Sequence, residues 1–133
     1  MDIDIKEVSL FGMAIQRTRI EAASVNIANA QLVFSQENMV TQPLQALTNL
    51  NDFSALIGEN TKVDLAPIKD AGVKALYKPE HAMANEQGYI FKPNINVASE
   101  MLILNEATRA YEANVKAFNT YREMSAKAME IGK

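Results

Sequence analysis

The sequence contains no cysteine. That excludes a disulfide framework, a thiolate metal site and a cysteine nucleophile. Tryptophan is missing as well, and aromatic residues are few, while methionine and alanine are frequent. Such a mixture suits helix–helix packing better than a compact sheet core. No apolar run reaches the roughly 20 residues that span a bilayer, so direct membrane insertion is not expected. The opening stretch Met1-Asp2-Ile3-Asp4-Ile5-Lys6-Glu7 is acidic and polar. It lacks the basic region and apolar core of a cleavable secretory signal. A cytoplasmic protein fits, as does one exported without a cleaved signal. Positive charge is not in excess: the formal net charge is −3, and it is spread along the chain. A nucleic-acid binder carries a basic stripe, so no nucleic-acid partner is expected.

Chemistry is also scarce. His81 is the single histidine, and no second ligand stands at a metal-binding spacing from it. No serine sits in a Gly-x-Ser-x-Gly elbow. Gly58, Gly72 and Gly88 are isolated, so no phosphate-cradling loop is present. Glu106 and Glu112 lie six positions apart on one helix, point in different directions and read as a solvated face. Arg17 and Arg19 diverge by about 200° on a helix, which makes a shared anion improbable. Pairing with acidic residues of a neighbouring helix suits them better. The expected lists of catalytic residues, cofactors and metals are therefore empty, and the chain reads as no enzyme.

What is present is heptad spacing at both ends. The length corresponds to about one domain. From about Asp4 to Ala30, Phe11, Ile15, Thr18, Ala22, Val25 and Asn29 recur at alternating steps of four and three. This is the a/d pattern of a coiled-coil seam. Asp2, Asp4 and Glu7 complement the positive end of that helix. Gly12 is its weak point, costing about 1 kcal/mol relative to Ala. From about Val97 to Ile131 the spacing is longer and clearer, through Val97, Met101, Leu104, Thr108, Tyr111, Val115, Phe118, Arg122, Ser125 and Met129. Asn96 is placed to cap the start and Gly132 to end it. Glu112–Lys116 and Glu123–Lys127 are favourable i,i+4 pairs. At 1.5 Å per residue this helix is about 50 Å long, more than a small core needs.

The same helix carries a second stripe: Ile103, Ala107, Ala110, Asn114, Ala117, Tyr121, Met124, Ala128 and Ile131. The first helix covers only one of the two. Leaving an apolar stripe wet forgoes about 25 cal/mol per Å². Either the middle of the chain folds over the other stripe or neighbouring copies do, and the length of the helix favours neighbouring copies.

The middle, about Gln31 to Ile95, is broken by Pro43, Gly58, Pro67, Gly72, Pro79, Gly88 and Pro93. The spacing of Leu44, Leu47, Leu50 and Phe53 or Ile57 predicts a short helix over 44–57. Gly72–Tyr77 and Tyr89–Phe91 predict two strands of a small hairpin, joined through Lys78-Pro79-Glu80-His81. The expected fold is thus mainly α. An N-terminal helix (1–30) pairs with a C-terminal helix (96–133) as a coiled coil across an irregular and β-hairpin insert (31–95), all in one structural unit. Because the chain ends must meet, the first helix is expected to be loosely held until a partner arrives.

Both ends resemble the axial proteins of the bacterial flagellum, in particular those of the proximal rod. At the N-terminus the resemblance rests on Gly12-Met13, Gln16-Arg17-Thr18-Arg19 and Asn26-Ile27-Ala28-Asn29-Ala30. Toward the C-terminus it runs through Tyr77-Lys78-Pro79-Glu80-His81, Ala84–Tyr89, Lys92–Val97, Glu100-Met101, Thr108–Val115, Phe118-Asn119-Thr120 and Lys127–Lys133. Together these cover more than half the chain. The resemblance implies a structural subunit whose terminal helices pair and stack into a hollow rod with the insert outward. It also implies unfolded export through the flagellar type III apparatus and a final place in the periplasmic part of the basal body. Expected partners are other copies, other rod proteins and that export apparatus.

On this reading, torque passes as shear across interlocked side chains. Met101, Tyr111 and Phe118 would be the bulky knobs, opposed by Phe11, Ile15 and Val25. Ala22, Leu104, Thr108, Val115 and Tyr121 would complete the packing surface. Ala110, Ala113 and Ala117 would let helices approach closely, and Asn26, Asn29 and Asn114 would set register by hydrogen bonds. The rival reading is a helical adaptor or export chaperone acting as a soluble dimer.

Overall fold

Two helices take up just over half of the described residues because the apolar residues at both ends recur at helical spacing. The structure, a computed structural model, describes residues 5–47 and 63–132. Helix α1 spans Ile5–Asn29 and helix α2 spans Val97–Ile131. Between them lie strands β1 (Leu44–Leu47), β2 (Asp64–Pro67), β3 (Val73–Tyr77) and β4 (Tyr89–Pro93), with a 3₁₀ turn at Glu37–Met39. The start of α2 is set locally. Asn96 has extended backbone, and its side-chain oxygen accepts from the Ser99 N–H at 3.3 Å, satisfying one orphan donor of the first turn. The helix ends at Gly132, whose N–H donates to the Ala128 carbonyl at 3.2 Å.

The hairpin expected from the aromatic and β-branched runs is present. β3 and β4 pair antiparallel, with Val73 opposite Pro93 and Tyr77 opposite Tyr89. Its loop folds around Asn85, whose side-chain oxygen accepts from the N–H groups of Gln87 and Tyr89. Gly88 has φ +82°, a left-handed conformation that favours glycine. Tyr77 and Tyr89 stack edge-to-face at 5.3 Å. Phe34 extends this sheet by one bridge, exchanging two backbone hydrogen bonds with Phe91.

The helix expected over 44–57 is not what its first residues form. Leu44–Leu47 is a strand, paired antiparallel with β2 from Leu44 opposite Pro67 to Leu47 opposite Asp64; the remainder of that stretch lies outside the described residues. The cause is long-range. α1 supplies a side-chain amide that bonds both backbone groups of Leu44, and β2 supplies a ladder partner. Together these outweigh the local helical spacing of the leucines.

The two helices share the most extensive contact in the molecule, and they run antiparallel. Gly12 of α1 meets Asn114 of α2, and Asn26, fourteen residues later, meets Glu100, fourteen residues earlier. Extending that register places Tyr121 opposite Ile5. Arg122–Ile131 therefore projects about 15 Å past the first described turn of α1.

Candidate assembly surface

The seam between the helices is made of small and polar residues. Phe11, Ala22, Ala23 and Ala107 are buried, Ala107 completely, and so are Ser9, Thr18 and Asn26. Small residues let two helix backbones approach closely, which explains how a seam with one buried aromatic, Phe11, closes. Gly12 is part of this device. A β-carbon there would lie 2.9 Å from both amide atoms of Asn114, so the missing side chain is where Asn114 fits. Asn114 in turn donates to the Ala110 carbonyl one turn back at 3.0 Å. The glycine that reads in the sequence as a weak point in the helix is a docking notch.

Asn26 is the main polar joint. Its side-chain N–H donates to the Leu44 carbonyl at 2.8 Å, and its oxygen accepts from the Leu44 N–H at 2.7 Å. The amide thus pairs with β1 as a neighbouring strand would. The same amide nitrogen lies 3.2 Å from a Glu100 carboxylate oxygen on α2. One buried side chain therefore ties together α1, β1 and α2. A second tie follows two turns earlier, where the Thr18 hydroxyl is within 3.2 Å of the Val63 carbonyl at the lead-in to β2 and 3.1 Å of Ala14 O. The buried polar side-chain atoms of the described residues all have partners, as a buried polar network requires.

The expected packing residues separate into two groups. Phe11, Ala22 and Asn26 are buried in the α1–α2 seam, and Ile15, Val25 and Asn29 are half-buried. On α2, Leu104, Tyr111, Asn114, Val115, Phe118 and Tyr121 are half-buried. Met101 is 50% exposed and Thr108 is exposed, its hydroxyl turned back to the Leu104 carbonyl at 2.7 Å. Met101 is therefore not a knob against α1, and Ala113 and Ala117 are exposed, so neither lies in the contact with α1. Ala107 and Ala110 do. The covered face of α2 lies between the two stripes: Ala107 is buried, Ile103, Ala110, Asn114 and Tyr121 of the second stripe and Leu104, Tyr111, Val115 and Phe118 of the first are half-buried, and Met101, Thr108 and Ala117 are exposed. Arg17 is exposed, and Arg19 donates to Gln16 within its own helix at 3.1 Å.

Sequence reasoning placed Asn26 among the register-setting groups but not its bond to Leu44, because nothing near residue 44 announces a strand. Glu100 stands in the sequence only as an acidic residue of the first turn of α2, whereas in the fold its carboxylate faces Asn26. No groups of three or more His, Cys, Asp or Glu among the described residues are placed to hold a metal ion. No helix among them is long and apolar enough to cross a membrane.

A family model described as flagellar basal body rod FlgEFG protein C-terminal matches residues 86–131, which span β4 and α2. Across nearly its whole length the chain is similar to flagellar basal-body rod proteins named FlgC. That of Aquifex aeolicus is 34% identical over all of this chain and 99% of the relative. That of Bacillus subtilis is 32% identical over 95% of each. That of Salmonella typhimurium is 30% identical over 98% of this chain and 97% of its own length. Identity at this level extends over at least 95% of this sequence and of each of these relatives. The chain belongs to the FlgC family of flagellar basal-body rod proteins.

Proposed function

We propose that the chain is a structural subunit of the rod in the flagellar basal body, and that it assembles there through the outer face of α2. The observation that carries this reading is the open side of that helix. Met101 and Leu102 are exposed at 50% and 60%. Farther along, Tyr111, Val115, Lys116, Asn119 and Thr120 line an open groove of about 580 Å³. Groups of that size and polarity on a helix far longer than its partner are suited to receiving another helix, and leaving them wet forgoes burial free energy.

The mechanism is mechanical rather than chemical. Neighbouring subunits pack long helices in the coiled-coil manner, and load passes as shear between interlocked side chains. The rigidity this needs comes from the seam, where the Gly12–Asn114 notch and the Asn26 joint hold α1, α2 and the insert as one body. On this reading the subunit belongs to the proximal part of the rod in the periplasm and reaches it unfolded through the flagellar export apparatus. Its family relatives are rod proteins, which are structural and not enzymes.

The test uses a strain with the gene deleted. The full chain restores swimming, while Met101→Glu/Thr108→Glu does not, although its thermal midpoint stays within about 2 °C of wild type because both positions are exposed. Swimming restored by the double variant would remove the outer face of α2 from the mechanism. A deletion strain that swims unaided would remove the rod function itself. A purified chain that sediments only as a fixed dimer, with no larger species, would point to an adaptor instead.

A further inference from the structure

The seam that α1 covers does not stop where α1 does. Ile103, Ala107, Ala110, Asn114, Ala117 and Tyr121 follow a four–three spacing, half-buried or buried except at Ala117, and that spacing continues as Met124, Ala128 and Ile131. These last residues lie on the projecting end of α2. They are exposed, Met124 at 66% and Ile131 at 86%. A ready-made half-seam therefore lacks its other half among the described residues.

At the opposite end of the helix pair, α1, β1 and the first turns of α2 surround an open cleft of about 340 Å³. Ile15, Ala22, Leu44, Ile68 and Ile103 form apolar walls, and Arg19 and Glu100 are its charged side chains. The volume is of the order that takes a small organic molecule, so two or three apolar side chains fit it and a whole helix does not. Cleft and projection lie about 36 Å apart along α2, so a continuous helix cannot fold its end back into its own cleft.

We propose that the projecting end of α2 of one copy seats in the α1–β1–α2 cleft of a second copy. Met124, Ala128 and Ile131 enter the apolar part. Opposite charges face each other in this arrangement: Lys127, bordering the apolar residues on the projection, meets Glu100, and Glu130 on the same flank meets Arg19. Charges placed this way fix orientation and register more than they add affinity. Projection and cleft are different surfaces, so the contact is heterologous. Each joined pair keeps one free projection and one free cleft, and the chain of copies grows open-ended instead of closing into a two-fold dimer. This rests on the rod-subunit reading and adds the surfaces by which one copy holds the next.

The absence of native cysteine makes engineered pairs a clean report. Purified full-length Gln45→Cys/Ile131→Cys, oxidised at increasing concentration, is expected to give a ladder of dimer, trimer and larger species on a non-reducing gel. An equal mixture of Gln45→Cys and Ile131→Cys gives dimer and nothing larger, because each partner brings one thiol, and either variant alone stays monomeric. No cross-link at any concentration overturns the proposal. So does cross-linking of Ile131→Cys alone, which would mean that projections meet each other. The same double variant expressed in the deletion strain separates this contact from the function beneath it. Swimming cells whose protein shows no cross-link, or cross-links only to a different rod protein, refute docking between copies and leave the rod function standing. Swimming in the deletion strain itself refutes the function.

Discussion

Replacing Asn26 with alanine removes three hydrogen bonds at one stroke. Two go to the backbone of Leu44, at 2.7 and 2.8 Å, and the third, at 3.2 Å, goes to the Glu100 carboxylate. Each neutral bond is worth about 1 kcal/mol net, and the charged one somewhat more, discounted here for its length and for the partial exposure of Glu100. The loss is about 3 kcal/mol, because Asn26 is 2% exposed and water does not reach the vacated site freely. For a chain of this size that lowers the thermal midpoint by roughly 10 °C. Asn26→Asp is the sharper comparison. It keeps the acceptor for the Leu44 N–H but loses both donated bonds and sets a carboxylate beside the Leu44 carbonyl and Glu100, so it destabilises at least as much as alanine. Glu100→Gln changes little, since the glutamine carbonyl accepts the same bond. The assay is circular dichroism melting combined with hydrogen exchange. In Asn26→Ala the Leu44 amide loses protection while the amides in the middle of α2 keep theirs. A midpoint within 3 °C of wild type, together with a still-protected Leu44 amide, would refute the account of this joint.

Three further substitutions test the rest of the packing. Gly12→Ala gains about 1 kcal/mol of helix propensity, yet its β-carbon falls 2.9 Å from the Asn114 amide, so a net loss of about 1 kcal/mol is expected in urea unfolding. Adding Asn114→Ala should restore stability, and a Gly12→Ala single variant more stable than wild type would contradict the notch. Gly88→Ala places a side chain at φ +82° and 2.9 Å from the Tyr77 ring; a cost of about 2 kcal/mol and a weakened near-ultraviolet tyrosine signal from the Tyr77–Tyr89 pair are expected. Phe118→Ala would cost 3 kcal/mol or more if buried, but the ring is only half-buried. About 1.5 kcal/mol is therefore expected for the isolated subunit by calorimetry, and a loss above 3 kcal/mol would show that the ring is covered in solution.

Much of the architecture was legible where the determining interactions are local. The thirty-five residues of α2, its cap at Asn96 and its end at Gly132 follow from spacing and turn chemistry within a few residues. The β3–β4 hairpin follows from two short runs rich in apolar and aromatic residues, and a loop that Asn85 and Gly88 fold without outside help. The strand at Leu44–Leu47 was not legible. Its leucines have helical spacing, and what makes it a strand comes from Asn26, eighteen residues earlier, and from Asp64–Pro67, about twenty residues later. No window that short contains those partners.

How α1 shares the two stripes of α2 was equally out of reach, because both have the right period and neither is more apolar in a way that ranks them. Periodicity alone showed that α2 carries two offset apolar stripes. Tertiary contact decided that α1 takes the face between them. The two helices approach where side chains are smallest, with Gly12 receiving Asn114 and Ala22 and Ala23 on the same seam as Ala107. Close packing depends on the fit of facing surfaces, which a one-dimensional pattern of apolar residues does not encode.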